Sequence, residues 1–183
     1  ADEAFHQRVA QRMAAWPAQR KQRLDKVAAA AQDPGQVDAL NPAWVCAQIG
    51  LQLRPDDVVI NEAIRNSPSV LQQIPRTQPL SFLGGAGGGL GYSAGMALGV
   101  KLARPNDRVV HIEGDGGFHF STPTSVYAVA QAQGLPILTV VLDNGGWQAV
   151  KEAVLRVHPD GPAAQAGDFQ ARLTGPKRQF EQV

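Results

Sequence analysis

Two strand-length apolar runs, each delivered into a glycine-rich turn that carries an oxygen donor, constrain this chain more than any other feature. Val109-Val110-His111-Ile112 leads into Gly114-Asp115-Gly116-Gly117, and residues 137–142 lead into Asp143-Asn144-Gly145-Gly146. Between them lie a helix-length segment, residues 122–133, and the turn Gly134-Leu135-Pro136. A strand–helix–strand unit closes right-handed, so the two strands are expected to be parallel. Both turns then open at the carboxyl ends of their strands, where open α/β sheets bind ligands. Asp115 offers a carboxylate and Asn144 a carboxamide, hard oxygen donors suited to one Mg²⁺, and the glycines let backbone N–H groups approach a phosphate. Taken singly, Asp115 reads as a turn or capping residue and Asn144 as a left-handed turn residue. On adjacent strand ends, the two together favour a metal.

The rest of the chain supports an α/β domain. Asn41 is placed to cap a helix with Pro42 at its first position, running to about Leu53. Val58-Val59-Ile60 reads as a short buried strand, the first of the parallel sheet, ending at Asn61-Glu62. Ser67-Pro68 opens a helix to about Ile74, and residues 80–83 are short and extended. A cluster, Gly87-Gly88-Gly89-Leu90-Gly91-Tyr92, precedes a helix to about Leu102. Ahead of all this, Phe5, Val9, Met13 and Trp16 repeat at helical spacing. Pro17 is expected to break or kink that helix, and a second helical stretch runs to about Gln32. Residues 1–40 thus read as a solvated helical linker, and residues 41–183 as one domain.

Composition excludes more than it selects. The net charge of +1 gives no case for nucleic-acid binding. The single cysteine, Cys46, cannot form an internal disulfide, fits a reducing, cytoplasmic setting and reads as a buried structural thiol. No apolar run is long enough to span a membrane, and His6, Arg8 and Arg12 interrupt any signal-peptide pattern.

The segment Asn61-Glu62-Ala63-Ile64, the glycine cluster, Gly114-Asp115-Gly116 and the Asn144 turn occur in the order found in thiamine-diphosphate (ThDP) enzymes. The stretch from about Asn41 to His158 resembles the diphosphate-binding domain of the acetolactate synthase and benzoylformate decarboxylase group. That resemblance implies a parallel sheet with helices on both faces, a three-layer ThDP-binding fold. It implies Mg²⁺ held by Asp115, Asn144 and the carbonyl of Gly146. It implies cofactor contacts from Ile64, Arg65, Gly114, Gly116, Gly117, Phe118 and Gly146, aided by the helix that opens near Thr122. Leu90 would support the bent cofactor, and the Gly88 carbonyl would accept from its amino group. The implied activity is decarboxylation or ligation of 2-oxo acids by a homo-oligomer, a dimer or tetramer.

The resemblance also implies what is missing. In the family, a Glu from a separate pyrimidine-binding domain, usually on a partner subunit, activates the cofactor. Glu62 and Glu113 belong to the wrong domain for that role, so no catalytic residue is assigned, and the 183 residues read as a truncated domain, inactive alone. Residues 177–183 could begin a further helix. Asp143 stands where many relatives have Asn and is expected to face away from the metal. The interval between Asp115 and Asn144 is slightly longer than in common members, with the extra residues near 121–124. His111 reads as structural, and His119 and His158 as weak acid–base candidates. Two other readings stay open. One is a dinucleotide-binding oxidoreductase domain, because Gly89-Leu90-Gly91 begins a GxGxxG pattern. Its third glycine falls at Gly95, no clear strand leads into it, and Glu113 is a misplaced ribose ligand. The other is a non-catalytic interaction module with a decayed site, against which the intact Asp115 and Asn144 argue.

Overall fold

The computed structural model describes residues 2–85, 87–173 and Phe180; most of the helix expected over residues 177–183 lies outside the described residues. A single helix, α1 (Glu3–Ala30), opens the chain with Pro17 in its interior, so Pro17 does not break it. Proline removes one N–H from the ladder, and the flanking alanines, arginines and lysines are strong enough helix formers to carry the helix through. No residue of α1 is buried, and Phe5, Met13, Trp16 and Leu24 are exposed. Its C-terminal end is tied down by Gln73, which donates to the Val27 carbonyl at 2.7 Å, and by Asn41, which donates to that of Ala30 at 2.8 Å. A small antiparallel hairpin, β1 (Gly35–Gln36) and β2 (Ala39–Leu40), follows; no periodicity foretells so short a pair.

Helix α2 (Pro42–Gln52) starts as expected, with the Asn41 side chain accepting from the Ala43 N–H, a cap worth about 1 kcal/mol. The sheet comprises β3 (Val58–Glu62), β4 (Phe82–Gly84), β5 (Val109–Gly114) and β6 (Leu138–Leu142), all parallel, in the order β4-β3-β5-β6. Asn61 and Glu62 are therefore the last two residues of a strand and not the start of a loop. β4 leads directly into the glycine cluster, contrary to expectation; its three residues carry too little apolar pattern to be read as a strand.

Helices cover both faces. On one face, α2 and α3 (Ser67–Gln73) pack Cys46, Val70 and the adjoining Ile74 against Val59, Val110 and Ile112. On the other, α4 (Tyr92–Ala103) sets Ala97 against Val58, Ile60 and Val109. β3 is followed by α3 on the first face, while α6 (Pro123–Gln133), which follows β5, lies beside α4 on the second. The chain thus leaves β3 and β5 toward opposite faces, which opens a crevice between their carboxyl ends. Helices α7 (Gln148–Val157) and α8 (Pro162–Ala166) complete the described fold. Among the described residues, no helix is long and apolar enough to cross a membrane.

Candidate functional site

The acidic glycine turn is not a loop. Gly114 caps a six-residue helix, α5 (Asp115–Phe120), whose first residue is Asp115. The helix expected to open near Thr122 is α6, a separate element, with Thr122 in the left-handed region at its cap. The residues near 121–124 are the junction between the two.

A cavity of about 440 Å³ fills the crevice between the ends of β3 and β5. Its floor comes from Gly114, Asp115, Gly116 and Gly117, and one wall from Glu62, Ala63, Ile64 and Arg65. Gly88 and Leu90 close it from the glycine cluster, and Asn144, Gly146 and Trp147 from the turn after β6. The structure thus brings together the residues singled out from the sequence, Phe118 excepted. Phe118 is buried, with its ring against Tyr127. As the fourth residue of α5, its N–H falls where intrahelical bonding begins, whereas those of Gly116 and Gly117 precede it.

Asp115 is 1% exposed. Its Oδ1 accepts from the Gly116 N–H at 3.0 Å, while Oδ2 is buried and makes no hydrogen bond. The Asn144 Oδ1 is likewise buried and unbonded. Two orphaned oxygens at one cavity are costly in a folded protein unless something satisfies them. Burial raises the Asp115 pKa, and the neighbouring Asp143 carboxyl raises it further, with the Gly116 and Gly146 amides opposing. Asp143 is exposed and does not line the cavity, although its carboxyl lies close enough to raise the Asp115 pKa. The Asp143 Oδ1 accepts from the Gly145 N–H at 2.9 Å, a local turn bond.

The glycines are required by geometry. Gly146 has φ +132°, and a Cβ there would sit 2.3 Å from the Ala171 carbonyl oxygen, because this residue forms an antiparallel bridge with Arg172. Its own carbonyl accepts from the Gln148 N–H at 2.9 Å and keeps a second lone pair. A Cβ on Gly116 would sit 2.6 Å from the Trp147 indole nitrogen, itself buried without a partner.

Behind the floor lies a buried polar layer. Glu62 and Glu113 are register partners on β3 and β5. Glu62 accepts from the Gly91 N–H at 2.5 Å and the Ser93 N–H at 2.9 Å, which ties the glycine cluster and α4 to the cavity wall. Burial, then the Glu62 charge, push Glu113 up to about 8. His111 is fully buried 2.6 Å from the Ser93 hydroxyl, and burial holds its pKa down to about 4. It is structural, as expected. His119 is exposed on α5, and His158 caps α7; neither lines the cavity. Gln148, Ala149, Val150, Ala153 and Val154 of α7 also line the cavity. Their i, i+4 spacing on α7 was a usable signal.

Comparison with known proteins places this geometry. The family profile described as "Thiamine pyrophosphate enzyme, C-terminal TPP binding domain" matches residues 66–181. Benzoylformate decarboxylase of Pseudomonas aeruginosa is 30% identical over 125 residues, covering 67% of this chain and 23% of that protein. The acetolactate synthase isozyme 2 large subunit of Escherichia coli is 32% identical over 108 residues, 58% of this chain and 19% of that one. Mouse 2-hydroxyacyl-CoA lyase 2 is 35% identical over 127 residues, 66% and 19% respectively. The solved thiamine diphosphate-dependent 4-hydroxybenzoylformate decarboxylase of Rhodococcus jostii superposes with a TM-score of 0.68 at 23% identity, over 82% of this chain and 27% of that structure. The chain spans about a quarter or less of the length of these relatives. With a crevice at the switch point, the Asp115 and Asn144 side chains lining it and a matched family profile across most of its length, the chain belongs to the thiamine pyrophosphate enzymes, as their C-terminal TPP-binding domain.

Proposed function

We propose that the cavity holds the diphosphate end of thiamine diphosphate through Mg²⁺, as the half-site of an enzyme that decarboxylates or ligates 2-oxo acids. The observation that carries the reading is the pair of buried, unbonded oxygens, Asp115 Oδ2 and Asn144 Oδ1, at the wall of one cavity. Both are hard donors, the chemistry Mg²⁺ selects. Asp115 would supply the charge that offsets the cation and Asn144 a neutral oxygen, with the Gly146 carbonyl beside them. The Gly116 and Gly117 amides at the start of α5 would donate to phosphate oxygens, and Gly88 and Leu90 would border the rest of the cofactor. Bound thiamine diphosphate supplies the electron sink for cleaving or forming a bond next to a carbonyl.

This chain's own share is binding, orientation and exclusion of water. Glu62 is committed to the Gly91 and Ser93 amides, and Glu113 is buried behind it, so neither is assigned a proton-transfer role. The activating carboxylate is expected from another domain or partner subunit of a homo-oligomer. The chain by itself is then expected to hold cofactor weakly and turn nothing over. The test is calorimetric titration of thiamine diphosphate with Mg²⁺, with chelator, and on Asp115→Ala. Binding that needs Mg²⁺ and is lost in the variant is expected. Equal binding with chelator, or by the variant, would overturn the reading.

A further inference from the structure

One ion pair at the cavity rim is unexplained by the half-site. Arg65 lies in the 3₁₀ turn after β3 and lines the cavity. Its Nε is 2.5 Å from Glu152 Oε1, on α7, and both side chains are about half exposed (46% and 45%). Glu152 sits among Ala149, Val150, Ala153 and Val154, which form that wall. Two further observations point inward. Arg65 is the only cationic side chain among the described residues that line the cavity, against two acidic ones, Glu62 and Asp115. The residue before it, Ile64, has φ +39°, a conformation costly for a β-branched side chain, and is half exposed at the same wall.

We propose that Arg65 is the oxyanion-recognising side chain of this cavity, and that Glu152 holds it at the rim until a phosphate or carboxylate oxygen takes its place. The inference rests on the half-site reading and adds a specific residue and a competitor to it. The pair is easily exchanged. A half-exposed ion pair is screened and weak, whereas a guanidinium facing a phosphate in a cavity makes charge-assisted, bidentate bonds. Glu152 therefore acts as an internal competitor for the ligand, and removing it favours binding. A merely structural ion pair behaves otherwise: removing either partner costs a little stability and leaves affinity alone.

The test is calorimetric titration of Mg²⁺ with thiamine diphosphate, with thiamine and with inorganic diphosphate, on the unaltered chain, Glu152→Gln and Arg65→Gln. Relative to the unaltered chain, Glu152→Gln is expected to bind thiamine diphosphate about fivefold more tightly, the upper range for freeing such a pair. Arg65→Gln is expected to bind about tenfold more weakly, as for loss of a charged hydrogen bond. Thiamine, lacking the phosphates, should show neither change. If the two variants instead shift the affinity of the cofactor-loaded chain for pyruvate, the recognised oxyanion is the carboxylate. Equal affinities in all three proteins, for both anions, overturn the proposal. Failure of thiamine diphosphate to bind the unaltered chain, with inorganic diphosphate still bound in the expected rank order, overturns the cofactor reading and leaves the Arg65 assignment supported. Binding of neither overturns both.

Discussion

His111 makes the most quantitative prediction. The imidazole sits at the centre of the sheet, 0% exposed, between the Ser93 hydroxyl and Thr139, whose Oγ1 is 3.4 Å from Nδ1. The facing carboxyl is Glu113, with Oε1 3.5 Å from Nδ1. Since Glu113 is pushed up to about 8, it is neutral below that pH and offers no charge to an imidazolium. Burial therefore holds His111 down to about 4 from an ordinary 6.5. The folded pKa lies below the unfolded one, so the unfolded chain takes up the proton first as pH falls. His111's contribution is fully present above about 6.5, declines as pH falls from 6.5 to about 4, and is constant below that. At about 1.4 kcal/mol per pH unit, the loss reaches about 3 kcal/mol over that window. The assay is urea denaturation of the chain and of His111→Gln at half-unit steps from pH 7.5 to 4.5. The substitution adds a fixed cost from altered contact with Ser93, so the slope and not the offset carries the answer. Carboxyls away from His111 titrate in both proteins and largely cancel in the difference; Glu113, which lies against His111, does not, so the comparison is made in a common Glu113→Gln background. The gap between the two curves should narrow, or reverse, by about 2 to 3 kcal/mol between pH 6.5 and 4.5. Parallel curves, or an imidazole NMR resonance titrating near 6.5, would refute the reasoning.

Two other substitutions follow from packing. Gly146→Ala should lower stability by about 2 kcal/mol or more, because the left-handed backbone and the 2.3 Å approach to the Ala171 oxygen must both be relieved; thermal denaturation reads the loss, and an unchanged midpoint argues against the bridge to Arg172. Cys46, 0% exposed and with its thiol pushed up to about 11 by burial, should resist a thiol reagent at pH 8 until the chain is unfolded. Labelling in the folded chain at the rate of free cysteine would contradict that burial.

What the sequence disclosed and what it concealed divide along physical lines. β3 and β5 are apolar runs buried within the sheet, and β6 is a longer apolar run at its edge, so hydrophobicity alone marks them, and the Asn41 and Pro42 signals mark α2 by local chemistry. Asp115 and Asn144 were legible because each follows such a run with glycines beside it. β4 was not, since Phe82–Gly84 is three residues at the sheet edge and its pairing is decided by β3. Helix α5 was concealed because Gly114-Asp115-Gly116-Gly117 has poor helix propensity, and only packing under Trp147 and beside Glu62 makes the turn helical. The persistence of α1 through Pro17 is a local balance that a breaker rule does not weigh. The proximity of Asp143 to Asp115 comes from the pairing of β6 beside β5, a tertiary relation with no periodic signature.

The Asp143 carboxyl, exposed but near Asp115, affects how the half-site fills. The Asp143 carboxyl lies near Asp115 outside the cavity lining, Glu62 and Asp115 line the cavity, and Arg65 is engaged at the rim. A diphosphate approaching alone meets carboxylates and few free cations, whereas a divalent ion approaching alone meets two unbonded oxygens and a second carboxylate beside them. On the proposed reading the cation therefore lowers the charge that opposes the anion, and the anion supplies oxygens the protein lacks. Each binds weakly first and tightly second, with the coupling shared equally between them. Asp143, where many relatives are expected to carry a neutral amide, strengthens that coupling: its negative charge draws in the cation and penalises diphosphate that arrives without it.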